Sequence, residues 1–314
     1  MSDARSSPRL VLGLNTCYAV KRWPNPEDWA RVAADLGVAE VQMSLDLLPV
    51  GFDRAIAHRY AQRARRAVEA HDLRLHSLFT GLAAYSSTLM LADDLSDRQT
   101  AEAWYADIIA ISAAAGATGC GGHVGALSVA AASNPARARE LRAWELDAML
   151  RLADVAAREG LDHLEFENLA VAREYGHSIE EAHEIEESLK DSVVPWRLCL
   201  DLGHPPSLPA GTRSASPARW LVETWRNTPV VQLQQSPVGS DHHAPFTAAA
   251  NATGAVDRDE VIALLREWEV PEVLLFFEII HAHETPDTTV LDELRESVEF
   301  WRAGISAAEL ALQA

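Results

Sequence analysis

Cysteine is scarce in this chain, and so is positive charge. The three cysteines, Cys17, Cys120 and Cys199, are too few and too scattered for a disulfide framework or a paired-cysteine metal site. Each lies in an apolar, strand-like stretch, where a free thiol behaves as a small hydrophobe. Lysine and arginine number 27 against 46 aspartates and glutamates, a formal charge of −19. A surface so negative repels phosphate backbones and anionic membrane faces, which sets nucleic acid and membrane aside as partners. No run of about 18 consecutive apolar residues occurs, so no segment is expected to span a bilayer. The N-terminal region also lacks a charged stretch followed by an apolar run and a small-residue cleavage site, and a cytoplasmic location is expected. No GxGxxG follows the first strand-like run, and no Ser/Gly linker or low-complexity tract divides the chain.

The 314 residues are 48% hydrophobic and 23% charged, an ordinary globular balance. Short β-rich runs alternate with longer amphipathic stretches. The strand-like runs are 10–15, 39–45, 73–79, 118–124, 162–168, 196–202, 229–235 and 272–279. Helical stretches lie at 26–37, 52–71, 98–116, 136–159, 178–190, 216–227, 257–268 and 288–313. Several open on a recognisable cap: Asn25 before Pro26, Ser178 with Glu181 three residues on, and Asp257 before Arg258. Eight strands alternating with eight helices predict an α/β fold, a (β/α)8 TIM barrel, with a doubly wound open sheet as the alternative. The chain is expected to form a single barrel domain over 1–314, with residues 1–8 as a disordered tail. The proline-rich segment 203–217 follows a strand and is expected as a βα loop.

In such a barrel the site lies at the C-terminal ends of the strands. The fifth strand ends in Glu167-Asn168, the sixth in Asp201 with His204 three residues on, the seventh in Gln234-Gln235 and the eighth in Glu278. A lone glutamate at a strand end is commonly a surface charge. Glu278, however, sits inside FFEII and Asp201 inside LCLDLGH, where an unpaired charge costs several kcal/mol. Acids crowded at one point repel one another unless a cation neutralises them, and hard oxygen donors favour Mg²⁺ or Mn²⁺. Below this layer, alternation turns Glu165, Arg197 and Gln232 inward, which suggests a Glu165–Arg197 pair unless a β-bulge exchanges Glu165 with Glu167.

The strings ENLAVAREYGHSIEEA (167–182), DLGH (201–204), QLQQSPVGSDHHAPFT (232–247) and FFEI (276–279) resemble the xylose-isomerase-like superfamily of sugar and sugar-phosphate isomerases and epimerases. The spacing from Glu167 to Arg173-Glu174 is similar to a stretch common there. GLNTCYAVKRWPNPEDW (13–29) and VQMSLDLLP (41–49), with the QQ…D.H.PFT segment, look more narrowly like the erythrulose-phosphate 3-epimerases of tetritol catabolism. The resemblance runs from about residue 10 to 300.

The resemblance implies a divalent metal, Mn²⁺ or Mg²⁺, held by Glu167, Asp201, a strand-seven residue and Glu278. Many relatives carry histidine on strand seven; here Gln232 and Gln234 share a face, and Gln234 lies nearer the strand end. It also implies a small ketose or ketose phosphate as substrate, with Glu167 and Glu278 removing and returning a C3 proton on opposite faces of a metal-stabilised enediolate. Lys21 and Arg22 are candidate phosphate anchors, or a solvated basic pair. Asp46 is a candidate for a sugar hydroxyl, and His204 for the carbonyl. His76 and His123 are either substrate contacts or satisfied core histidines, and at least one of Asp241, His242 and His243 is expected to reach substrate. The other readings are an aldose–ketose isomerase, an inosose dehydratase or hydroxypyruvate isomerase relative, an endonuclease IV-type nuclease, which the charge opposes, and a non-catalytic binding barrel. A homo-oligomer is compatible with all of them.

Overall fold

The structure, a computed structural model, describes residues 7–48 and 53–312. The tail expected at 1–8 falls mostly outside them. Eight strands run through the described residues: β1 (Arg9–Asn15), β2 (Glu40–Ser44), β3 (Arg74–Phe79), β4 (Gly119–Gly122), β5 (His163–Glu167), β6 (Trp196–Asp201), β7 (Val230–Leu233) and β8 (Glu272–Phe277). Each pairs in parallel with the next, and β8 returns to β1 to close a barrel. Each predicted helical stretch overlaps one of eight longer helices, Pro26–Asp35, Arg54–Ala70, Leu95–Ala115, Pro135–Glu159, Ile179–Leu189, Pro217–Glu223, Arg258–Arg266 and Asp287–Leu312, of which the third, fourth and eighth begin one to three residues earlier than expected. The sixth falls furthest short: it stops at Glu223 and gives way to a separate turn at Trp225–Asn227. Three four-residue helices, Leu82–Tyr85, Val129–Ala132 and Ala248–Asn251, lie in the loops above the strands and are too short for periodicity to detect. Among the described residues no helix is long and apolar enough to cross a membrane.

Local chemistry sets these boundaries. The Asp257 carboxylate accepts from the Asp259 and Glu260 amides, and Ser178 Oγ accepts from the Glu181 amide, each satisfying donors that a helix start leaves unpaired. Asn25 departs from expectation: its side chain donates to the Asp28 carboxylate, and Pro26, pre-set for helical φ, carries the start instead.

The outer core lies between strands and helices. Inside the barrel is a second, smaller apolar plug of Val11, Phe79, Cys199, Val230, Leu274 and Phe276. Cys120 and Cys199 are buried as expected, whereas Cys17 is half-buried and borders the cavity described below. Between β2 and β3 the register shifts: Val41 pairs with Leu75 and Gln42 with Ser77, so His76 is the extra residue of a β-bulge. The pairing of β5 is regular, so no bulge exchanges Glu165 with Glu167. Glu165 and Arg197 are register partners, but the expected ion pair does not form. The Arg197 guanidinium reaches outward to donate to Asn227 Oδ1 at 3.0 Å, keeping part of its solvation, and Glu165 faces His76 and His163 instead.

Candidate active site

A cavity of about 260 Å³ opens at the C-terminal mouth of the barrel, bordered by Glu167, His204, Asp241, His243 and Glu278. Glu167 is the last residue of β5, Asp201 the last of β6, and Glu278 follows β8 directly. All three carboxylates are buried. Asp201 is fixed by its neighbours: Asn168 accepts from its amide at 2.7 Å and donates to its carbonyl at 3.0 Å, and the Gly203 amide donates to its Oδ1 at 2.6 Å.

Three sets of metal-competent donors meet here, Glu167–Asp201–His204, Asp201–His243–Glu278 and His204–Asp241–His243, each with donor atoms within 4.8 Å of one another. The first two share Asp201. His204 Nδ1 donates to the Asn168 carbonyl at 2.7 Å, which leaves Nε2 free to face Asp241 Oδ2 at 3.5 Å and Asp201 Oδ2 at 4.0 Å. His243 Nδ1 lies 3.7 Å from Glu278 Oε2 and its Nε2 lies 3.5 Å from Asp241 Oδ1.

The electrostatics are those of an acid cluster short of cations. Burial raises the Glu167 carboxyl well above its usual range, and repulsion from Glu278 and Asp201 adds to this. Burial likewise raises Glu278, only partly offset by the charge of His243. Burial opposes charge on Asp241 too, but its bond to His243 and the two imidazoles outweigh it and hold that carboxyl below the usual range. Burial would lower His243, yet the Asp241 bond and the Glu278 charge push it up to about 10. The same acids that favour a proton on this imidazole would favour a metal ion in its place, with the imidazole neutral as a ligand. The donor set fits a divalent cation: three buried carboxylates within reach of one another, with an imidazole beside them, need a positive charge at their centre.

Gln234 does not present its oxygen to this centre. Its Oε1 accepts from the His243 amide and from Ser236 Oγ, both at 2.7 Å, while Nε2 donates to Asp241 Oδ1 at 2.9 Å and Asp201 Oδ2 at 3.3 Å. A backbone N–H can only donate and a carboxylate can only accept, so both ends of the amide are assigned by their partners. Gln234 steadies two acids, and the imidazole grouped with both Asp201 and Glu278 is that of His243. Gln232 lies deeper, donating to Gln42 Oε1 at 2.8 Å.

The remaining predicted residues divide. Of the loop triplet, Asp241 and His243 border the cavity and His242 is exposed. His243 gets there through a left-handed backbone, φ +46°, and its carbonyl accepts from the Ile280 amide at 2.9 Å. His123 borders the cavity and donates from Nε2 to the Ser87 carbonyl at 3.0 Å; burial pulls it down to about 4. Asp46 also borders it, but its carboxylate accepts from the Leu82 and Ala83 amides at 2.7 and 3.1 Å and so caps the helix Leu82–Tyr85. His76 does not reach the mouth; it packs against His163 with ring centroids 4.7 Å apart. Nor is Arg22 available as an anchor: it donates to the Thr285 carbonyl and Asp287 Oδ1 at 2.8 and 2.7 Å and to the Ala282 carbonyl at 2.6 Å, with its side chain 6% exposed. Lys21 is exposed.

Tyr85, Leu169 and Ile280 also border the cavity, and sequence reasoning missed them. Tyr85 rides on the four-residue helix and meets His123 edge-on at 5.5 Å between centroids. Nearby Glu174, raised to about 7 by burial, accepts from the Val171 amide at 3.1 Å. Its place in the REY string was the only available signal.

No family model matches the chain. Over 297 residues the chain is 25% identical to the D-erythrulose 1-phosphate 3-epimerase of Brucella abortus (strain 2308), covering 93% of this chain and 95% of that one. Among solved structures, a Rhodospirillum rubrum ATCC 11170 protein whose own designation as a xylose isomerase is provisional is 29% identical, with a TM-score of 0.88 over 94% of this chain and 99% of its own. The D-psicose 3-epimerase of Clostridium cellulolyticum H10 shares the fold at a TM-score of 0.72 and 12% identity, over 94% of this chain and 99% of its own. Alike along nearly its whole length to proteins of this kind, the chain is a xylose-isomerase-like (β/α)8 barrel, an enzyme of the sugar epimerase and isomerase class.

Proposed function

We propose that the chain is a metal-dependent ketose 3-epimerase acting on D- or L-erythrulose 1-phosphate. The observation that carries this reading is the pair Glu167 and Glu278, two buried carboxyls from separate strands bordering one cavity. Inverting a carbon next to a carbonyl takes a base on one face and an acid on the other. The ionised carboxylate takes the C3 proton, and the neutral partner returns one to the opposite face. Its own proton is then missing and the first residue carries the extra one, so exchange with water resets the pair. Glu167, Asp201, Glu278 and His243 would hold a divalent ion, Mn²⁺ or Mg²⁺; when bound, such an ion polarises the ketose oxygens and makes the C3–H acidic. His204, with Nδ1 tied to Asn168, offers Nε2 to a substrate oxygen. Asp241, bonded to Gln234 and close to both imidazoles, sets their orientation.

The likeness to an erythrulose-phosphate epimerase supports the phosphorylated substrate. One observation favours a second reading, an uncharged ketose: among the described residues bordering the cavity there is no lysine or arginine. Incubating the metal-loaded protein in D₂O with erythrulose 1-phosphate, and separately with free ketoses, decides between them. Deuterium is expected to appear at C3 of the phosphate ester. Exchange only into a free ketose selects the second reading, and exchange into neither overturns both. Replacing Glu278 by Gln should lower the exchange rate by about 10² to 10⁴ while leaving the fold intact by circular dichroism; undiminished exchange would remove Glu278 from the mechanism.

A further inference from the structure

We propose that His76, His163 and Glu165 form a second metal site, for a zinc-type divalent ion, at the floor of the barrel. The three donors lie within 4.8 Å of one another, away from the cavity at the mouth. Glu165 is fully buried, and its Oε1 has no hydrogen-bond partner among the described residues; neither has His163 Nε2. The two atoms are 3.4 Å apart, and His76 Nδ1 stands 3.6 Å from the same oxygen. Zinc holds nitrogen and oxygen donors at about 2.0–2.2 Å in a tetrahedron, whose donor–donor edges are then about 3.4 Å. The two edges that meet at Glu165 Oε1, 3.4 and 3.6 Å, match that spacing, and the third is within 4.8 Å. His76 Nδ1 also lies 3.2 Å from Ser77 Oγ, a contact that a hydroxyl can give up by rotating.

Three unrelated features of the chain build the cluster. The bulge in β3 makes His76 an extra residue and aims it at His163. Gly119 on β4 leaves the space that the His163 ring occupies, since a Cβ there would collide with the imidazole. Alternation on β5 then puts Glu165 on the same inward face as His163. An ion here would tie β3 to β5 across a strand, Gly-Cys-Gly-Gly, that has no inward side chain of its own. Two imidazoles and one carboxylate are a zinc-type set, softer than the carboxylate-rich mouth. The imidazoles are 11% and 13% exposed, which gives an ion entry from the floor.

The test is metal stoichiometry. The full-length protein is stripped with chelator, reloaded with Zn²⁺ alone, dialysed and measured by mass spectrometry, alongside His163→Gln, Asp201→Asn and the double variant. Wild type is expected to retain about two zinc ions per chain, each single variant about one and the double variant none. Zinc should also raise the Tm of Asp201→Asn but not of the double variant, and Co²⁺ should give tetrahedral visible bands that His163→Gln lacks. If His163→Gln is misfolded by circular dichroism in chelator, His76→Gln takes its place. Unchanged zinc content and Co²⁺ spectrum in the histidine variant would overturn the proposal. Loss of zinc only in Asp201→Asn would do the same while leaving the mouth site standing.

Discussion

A glutamine amide has two different ends, and at Gln234 the backbone chooses which one faces the acids. The His243 N–H claims the oxygen, so the NH₂ is left for Asp201 and Asp241. His243 in turn is brought beside Asp201 and Glu278 by a left-handed residue in the loop after β7. The two positions therefore differ in kind, one orienting acids and the other offering a nitrogen. His243→Ala should weaken Mn²⁺ binding by more than the tenfold or so expected when an orienting group such as Gln234 is lost. Isothermal titration of His243→Ala and Gln234→Leu checks this. A larger loss in Gln234→Leu would restore the glutamine as the ligand.

At the scale of the element, the loop residues matter through what they hold in place. Arg22, read from sequence as a possible anion anchor, spends its guanidinium on two carbonyls and a carboxylate of the segment after β8, the segment that also carries Ile280 to the cavity. Arg22→Ala should lower Tm by several degrees and loosen that segment, with KM for a phosphorylated and an unphosphorylated ketose changing by the same factor. A loss confined to the phosphorylated substrate would make Arg22 an anchor after all. Asp46 behaves similarly. Removing its carboxylate frees two amides of the helix Leu82–Tyr85, a cap worth about 1 kcal/mol. The helix carries Tyr85, so Asp46→Ala should raise KM more than it lowers kcat in steady-state assays. Strands and long helices were legible because hydrophobic periodicity is repeated over many residues. A four-residue helix, a one-residue bulge and a left-handed histidine leave no such signal.

For the whole molecule, pH and salt are the variables to turn. Burial holds His123 at about 4, below its ordinary 6.5. Between those values the unfolded chain binds a proton that the folded chain refuses, so stability rises with pH there. The contribution is fully present above pH 6.5 and is lost as pH falls toward 4, by up to about 3 kcal/mol. Urea midpoints at pH 7 and 4.5 should differ less in His123→Gln than in wild type. The net charge of −19 gives a second expectation. A dianionic ketose phosphate is repelled at long range, so kcat/KM should rise between low salt and about 0.15 M, where the screening length is about 8 Å, and an uncharged ketose should show no such rise. A fall for the phosphate ester would point to a local cationic funnel.

Alternation of apolar runs at two periods was enough to specify eight strands, eight long helices and the end of the barrel at which to look, because burial of one face is a local demand that each element meets with its own residues. The buried acids Asp201 and Glu278 were legible for the same reason, as charges set in apolar strings that nothing local could neutralise, and Glu167 as the acid at the matching end of the fifth strand. What sequence could not decide was partnership. Whether Gln234 turned its oxygen or its nitrogen inward, whether Arg22 met an anion or a neighbouring loop, and whether His76 rose to the mouth or sank to His163 each depended on atoms far away along the chain. Hydrogen bonds and ion pairs are short-range and directional, so only the closed barrel, by fixing those distances, could assign them.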